Sequence, residues 1–303
     1  MQLSRLWTIA ALMAAGIATV APAADQTPQP VPDTSLTPLG HLTPKPVVTS
    51  PHLYVIDCGT ITNDRPEKNG LTRDEVKYST YADMCYLIVH PKGTLLWDTG
   101  ISDAMVGRPF YDTTFFTGGG FLKWNTLVGQ LADIGYRPAD IDYLALSHLH
   151  ADHSGNANLF RHSTWLVAKP EYDFAFGPNP SPHRFGLENY DQLKTFKTIF
   201  IPADYDVFGD GSVVIKQAFG HSPGHSVLAV KLAHTGTVVL VGDLYHYPEE
   251  RTLHRIGDYD AHTKTPEARA AVEEWVARNH AQLWIAHDME LFRTLRHAPA
   301  FYD

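Results

Sequence analysis

Ser147-His148-Leu149-His150-Ala151-Asp152-His153 is the stretch on which the reading of this chain turns. It follows the apolar run Ile141-Asp142-Tyr143-Leu144-Ala145-Leu146, which reads as a buried strand, and leads into Ser154-Gly155-Asn156, where a helix begins. Four metal-capable side chains therefore fall within the six residues 148–153, where a strand hands over to a helix. Residues two apart on a strand project to the same side, so His148 and His150 can hold one cation between two imidazoles. As the backbone turns, Asp152 and His153 can swing toward a second cation. A solvated histidine-rich turn has no need of that spacing.

Around this cluster the composition is that of a globular protein. The 303 residues are 44% hydrophobic and 19% charged, enough for one or two cores. With 24 basic against 33 acidic residues the formal charge is -9, and no basic patch is present, which argues against a nucleic-acid partner. Bound divalent cations would offset part of that acidity, although acidity chiefly serves solubility. Cys58 and Cys85 both lie in strand-like runs and read as small buried hydrophobes, with a single disulfide left open in an oxidising compartment.

Residues 1–23 have the layout of a secretory signal: Arg5 in the charged region, an apolar run from Leu6 to Val20, and Ala21-Pro22-Ala23 as cleavage site. A periplasmic or secreted protein follows from it. The apolar run is short for a bilayer span of about 20 residues, so no membrane span is expected once the signal is removed. Residues 24–51 form a Pro-rich arm carrying seven prolines from Pro28 to Pro51, and the globular domain is 52–303.

Strands are expected at His52–Cys58, Met84–His90 and Thr94–Asp98, the last two joined by a Pro91-Lys92-Gly93 turn. Asp98 closes Leu96-Trp97-Asp98-Thr99-Gly100, where it can accept a hydrogen bond from a ligand imidazole. Residues 101–120 are loop-like, with Phe110, Tyr111, Phe115 and Phe116 before three glycines, the composition of a substrate-covering loop or of local packing. Trp124, Leu127, Val128, Leu131 and Ile134 recur at helical spacing. Beyond the cluster come strands at 164–168, 196–201, 213–218, 226–232 and 237–241, with a short helix at 169–176. Thr265 as N-cap, Pro266 and Glu267 open a last helix with Ala268, Ala271, Val272, Trp275 and Val276 as its buried stripe. Two similar halves follow, each a sheet with helices on its outer side.

Three later residues complete a ligand set. His225 ends Gly220-His221-Ser222-Pro223-Gly224-His225, Asp243 ends the run Val238-Val239-Leu240-Val241-Gly242, and His287 ends Leu283-Trp284-Ile285-Ala286. Each stands where a strand meets a loop, a place that holds a side chain rigidly. The most economical assignment puts His148, His150 and His225 on one ion and Asp152, His153 and His287 on another, with Asp243 bridging. His221 and Asp288 are left to supporting roles.

Together with the late Ala286-His287-Asp288, these motifs resemble the metallo-β-lactamase superfamily, and within it the N-acyl-homoserine lactonases. The similar order of motifs runs from Leu53-Tyr54-Val55-Ile56-Asp57-Cys58-Gly59 through the Leu95-Leu96-Trp97-Asp98-Thr99-Gly100 turn to the C-terminus. The resemblance implies an α/β fold, an αβ/βα four-layer sandwich, with a dinuclear site at one edge of the two sheets and Asp152 orienting the nucleophile. It implies two divalent ions, zinc first, with Fe, Mn or Co also suited to His and carboxylate ligands. A metal-bridging hydroxide would open a lactone ring, making the protein a secreted quorum-quenching hydrolase of a small-molecule acyl lactone. Its oligomeric state stays open, a dimer included.

The family places a tyrosine three residues after the bridging aspartate, and here that position is His246, between Tyr245 and Tyr247. Either Tyr245 or His246 is then the group that assists the substrate carbonyl. Other hydrolases of the superfamily, acting on β-lactams, thioesters or phosphate and sulfate esters, are the alternative. A noncatalytic or redox metal protein is the third reading.

Overall fold

A computed structural model describes residues 43–303 except 63–64, 113–118 and 182–185. The signal segment 1–23, residues 24–42 of the arm, Phe115, Phe116 and Gly118 of the aromatic loop, and His183 lie outside the described residues. Described residues 43–51 do not hang free: Lys45 pairs with Asp140, and Val48 packs on the core.

The first sheet opens with β1 (His52–Thr62), β2 (Thr80–His90) and β3 (Gly93–Trp97), with β4 (Phe110–Asp112) and β5 (Gly119–Leu122) following. It continues through β6 (Tyr143–Ala145), β7 (Thr164–Ala168) and β8 (Thr198–Ile201), in the order β4-β5-β1-β2-β3-β6-β7-β8. The second sheet contains β9 (Tyr205–Asp206), β10 (Val213–Gln217), β11 (Ser226–Leu232), β12 (Gly236–Leu240) and β13 (Gln282–Trp284), in the order β13-β12-β11-β10-β9. Seven helices accompany them: α1 (Leu127–Ile134), α2 (Ala151–Ser154), α3 (Lys169–Phe176), α4 (Pro248–Thr252), α5 (Asp258–Ala261), α6 (Thr265–Asn279) and α7 (Met289–Thr294), counted among the described residues.

The layering follows from strand alternation. Leu53 and Val55 of β1, with Ala82, Met84, Tyr86 and Ile88 of β2, meet Leu228 and Val230 of β11 and Val238 and Leu240 of β12 in the core between the sheets. The alternate residues Tyr54, Ile56, Leu87 and Val89 face α1, through Leu127, Leu131 and Ile134. On the other side Val227, Ala229, Val239 and Val241 face Val272 and Val276 of α6. Helix, sheet, sheet and helix therefore stack in four layers, each sheet carrying helices on its outer face. No helix among the described residues is long and apolar enough to cross a membrane.

Several local expectations need correction. Residues 101–120 are not all loop, since β4 and β5 pair antiparallel and extend the first sheet beyond β1. Trp124 precedes α1 and is 69% exposed. Lys264 is the cap residue of α6, and Thr265 lies inside it, bonding its hydroxyl to Asp260. Ala271 faces solvent, while Arg269 is buried.

The two cysteines form a disulfide, Cys58–Cys85, across 27 positions of chain. Register explains it: Asp57 pairs with Met84 and Gly59 with Asp83, so Cys58 is the extra residue of a bulge on the face that carries Cys85. The bond lies under the Asp98-Thr99-Gly100 turn. Gly100 has φ +62°, and a Cβ there would stand 2.2 Å from Cys58 Cβ, so the turn closes on the disulfide only because this residue is glycine. Cys58→Ser is expected to lower unfolding free energy by about 2–4 kcal/mol. In urea melts, dithiothreitol should shift the wild-type midpoint and leave that of the variant in place; equal shifts would show the bond carries no stability.

Candidate metal centre

The histidines and carboxylates gather because of strand direction. β3, β6 and β7 run parallel, so the chain leaving β6 emerges at the edge where β3 ends, carrying His148 and His150. α2 then places Asp152 and His153 in its single turn. In the second sheet β12 and β13 are parallel and β11 is antiparallel to β12, so the entry to β11 lies beside the exits of β12 and β13. The segments carrying His221, Asp243 and His287 share that edge.

Two groups form there. His148, His150, His221 and Asp243 make one, Asp152, His153 and His287 the other, with the donor atoms of each group within 4.8 Å of one another. Asp243 divides its carboxylate between them. Oδ1 lies 2.9 Å from His153 Nε2 and 3.1 Å from His287 Nε2, whereas Oδ2 lies 3.6 Å from His148 Nε2 and 3.3 Å from His221 Nε2. Asp152 Oδ2 stands 3.5 Å from His287 Nε2.

Whether a cation fits is answered by the partnerless atoms. His148 Nε2, His153 Nε2, Asp152 Oδ1 and Asp243 Oδ1 are buried with no hydrogen-bond partner. Buried polar atoms rarely stay orphaned, because each costs about 1–3 kcal/mol. Here they converge, and the separations are those of donors aimed at a common point. The nitrogen and carboxylate donor set suits zinc or another divalent first-row ion. The residues fit two such ions.

The opposite ring nitrogens are held by protein, as ligand imidazoles are. His153 Nδ1 meets Asp98 Oδ2 at 3.0 Å, and the other oxygen of Asp98 accepts the Ser147 N–H at 2.6 Å. His287 Nδ1 donates to the Ala82 carbonyl at 2.8 Å, and His148 Nδ1 meets the Ser147 hydroxyl at 3.1 Å. His221 Nδ1 lies 3.5 Å from Asp260.

Protonation follows the same division. Burial, helped by neighbouring histidines, holds His148 well below its ordinary pKa and His150 down to about 4, so both are neutral donors. Burial also opposes charge on His221, but the Asp243 and Asp260 carboxylates facing its two ring nitrogens together outweigh it and lift the ring to about 9. Asp243 is likewise penalised by burial, yet His153 and His287 hold it well below the carboxylate range. A cation entering this cage takes the place of protons, so metal uptake releases them.

Two sequence assignments are revised. His225 is fully buried but does not join the first group: its Nδ1 donates to the Ala218 carbonyl at 3.1 Å and its Nε2 accepts the Asp243 N–H at 3.2 Å. Both ring nitrogens are spent. Its neighbour His221 stands in that place, with Nε2 3.1 Å from His150 Nδ1. Tyr245 turns to the far side of the second sheet, where its hydroxyl donates to Glu273 at 3.1 Å and its ring lies under Arg269. His246 alone of that pair faces the centre, with Nε2 3.3 Å from Asp243 Oδ2.

Of the buried acids around the centre that escaped sequence reading, three back the candidate ligands. Glu171 binds the backbone beside two ligand segments. Asp260 backs His221. Glu250 accepts the N–H groups of His246 at 2.6 Å and Tyr247 at 2.9 Å, faces the His246 ring at 3.7 Å, and is anchored by Arg269 at 2.8 Å. Each sits in or beside an ordinary-looking helix, and each finds its partners only in the folded chain.

Comparison with known proteins points to the same fold. Residues 82–279 match the family model described as the metallo-beta-lactamase superfamily. An N-acyl homoserine lactonase of Azorhizobium caulinodans is 28% identical over 229 residues, covering 72% of this chain and 86% of its own. One from Bacillus thuringiensis subsp. kurstaki is 26% identical over 260 residues, covering 84% of this chain and all of its own, 100%. A solved N-acyl homoserine lactone hydrolase, with the product N-hexanoyl-L-homoserine at its catalytic metal center, superposes with a TM-score of 0.71 at 26% identity, over 84% of this chain and 100% of that one.

Proposed function

The chain belongs to the metallo-beta-lactamase superfamily of metal-dependent hydrolases, and from that premise we propose that it opens the lactone ring of N-acyl homoserine lactones at a centre of two divalent ions, zinc foremost. The observation that carries the two-ion reading is the split carboxylate of Asp243, one oxygen facing each ligand group. The lactone is supported by the relatives, lactonases across most of their own length.

His148, His150 and His221 would hold one ion, Asp152, His153 and His287 the other, with Asp243 between them. Bound there, the ions supply Lewis acidity and a water acidic enough to attack near neutral pH. The remaining work falls to side chains. Asp152 Oδ1, buried and without a partner, is free to accept a proton from the attacking water and return it to the departing ring oxygen. His246, steadied by Glu250, offers Nε2–H to the lactone carbonyl as negative charge develops there. Tyr259, 68% exposed with its ring 6.4 Å from that of His221, forms part of the wall beside the centre.

Secretion to the periplasm or medium belongs to the same reading. It is supported by the charged and apolar layout of residues 1–23 and by a disulfide, a bond that persists in oxidising compartments.

The test is turnover by purified, metal-loaded protein of an acyl homoserine lactone, a β-lactam, a thioester and a phosphodiester. The lactone is expected to give the highest kcat/KM, with the ring-opened acid as product. Turnover of the β-lactam without the lactone would sink the proposal. In the same assay His246→Phe should lose about 10²-fold in kcat, the usual cost of one oxyanion donor. His246→Tyr, which restores a donor, should lose less than the Phe variant; equal losses would remove His246 from the carbonyl.

A further inference from the structure

Glu171 lies in the first turn of α3, 2% exposed, and is no donor to either group. Its Oε1 accepts the Leu149 N–H at 2.9 Å. Its Oε2 accepts the Gly224 N–H at 2.8 Å and the Ser222 hydroxyl at 2.6 Å. Leu149 separates His148 from His150, and Ser222 follows His221 directly. The first pair leaves the first sheet at β6, whereas His221 enters the second sheet at β11. A single carboxylate thus joins two ligand segments from different sheets, and His150 and His221 then meet at 3.1 Å.

The contact is close by construction. A Cβ on Gly224 would lie 2.4 Å from Glu171 N and 2.5 Å from Glu171 Cβ, so a side chain at that position would push the clasp open. The second group is held by other means, the Asp98 carboxylate on His153 and the Ala82 carbonyl on His287. The supports of the two positions meet at Asp243 and at the Ser147 hydroxyl, 3.1 Å from His148 Nδ1 and 3.2 Å from His153 Nδ1, whereas the three partners of Glu171 all lie on the first side.

We propose that Glu171 is a positioning residue for the His148–His150–His221 position alone, so that the two ions are supported, and can be lost, separately. This rests on the two-ion reading above. A glutamine here would keep the size of the side chain but present an amide N–H₂ to donors, breaking one side of the clasp.

The experiment is titration of apoprotein with Zn²⁺, following stoichiometry and affinity by calorimetry, and with Co²⁺, following the visible absorption of the bound ion. Wild type is expected to take two ions. Glu171→Gln should keep one ion at wild-type affinity and bind the other about 10–100-fold more weakly, the usual effect of losing a support behind a ligand. Asp98→Asn should weaken the other position, so the Co²⁺ bands that survive in the two variants should differ. Circular dichroism of each apoprotein provides the folding control. Two ions at wild-type affinity in Glu171→Gln, equal weakening of both, or an unfolded apoprotein would each overturn the inference. Wild type binding fewer than two ions would overturn the two-ion reading and this inference with it.

Discussion

Asp152→Asn is expected to lower kcat for the lactone by about 10³-fold, in the range attributed to a positioned proton acceptor, while KM changes little. Asp152 stands in the single turn of α2, 3% exposed. Its Oδ2 faces His287 and, at 3.8 Å, His153, whereas Oδ1 has no partner. Asparagine keeps an oxygen for the second ion but has no basic oxygen for a proton, so the chemical step should suffer more than binding. Asp152→Ala removes both functions and should reduce the metal content toward one ion. Neither variant should unfold, because Asp152 Oδ1 has no hydrogen bond to lose and Oδ2 meets His287 and His153 only at 3.5 and 3.8 Å. Steady-state kinetics with metal analysis and apoprotein melting separates these effects. Wild-type turnover in Asp152→Asn would exclude it as the acceptor, and a large loss of melting temperature would make it structural.

What could be read in advance was what periodicity and local spacing encode. The alternation in β11 and β12 separates the core between the sheets from the core under α6, and the dense cluster at 148–153 needs only one strand-to-helix turn to form. Asp98 is legible only beside the histidine cluster, because an acid closing an apolar strand next to a glycine turn is more often a helix cap or turn former; it meets His153 at 3.0 Å. What failed was the choice between near-equivalent residues in a turn. His221 and His225 share one six-residue segment, and proximity to the strand favoured His225. Adjacency to β11 is what buries that ring among backbone groups instead. Tyr245 and His246 are consecutive and point opposite ways after the short turn at Gly242–Leu244, whose geometry no pattern announces. Glu171 and Glu250 had no signal, since helix acids are usually solvated and their partners here include backbone groups 22, 53 and 4 positions away in sequence.

The His221 and His225 pair gives the sharpest contrast. His221→Ala should remove one of three imidazoles from the first position, lower the bound metal from two ions toward one, and cut kcat/KM by about 10³-fold or more, because a two-ion centre would be left with one ion. Its cost to apoprotein stability should be the smaller of the two. Without an ion, His221 is a buried ring packed against His150 and His148, at 4.8 Å between ring centroids in each case, and the Asp243 and Asp260 carboxylates that hold it charged keep other partners when it is removed. His225→Ala should do the reverse. It leaves the donors of both groups in place but opens a cavity and strips the Asp243 N–H of its acceptor and the Ala218 carbonyl of its ring donor. Each buried polar group so exposed costs about 1–3 kcal/mol, so apoprotein melting should fall markedly while two ions still bind. Because the Asp243 N–H is one of those groups, some loss of activity is expected as the Asp243 carboxylate loosens, but less than for His221→Ala. The measurement is metal content and apoprotein melting of the two variants side by side. If His225→Ala loses an ion and His221→Ala keeps both, the ring nitrogens of His225 are not spent as the hydrogen bonds indicate, and the first position must be reassigned to it.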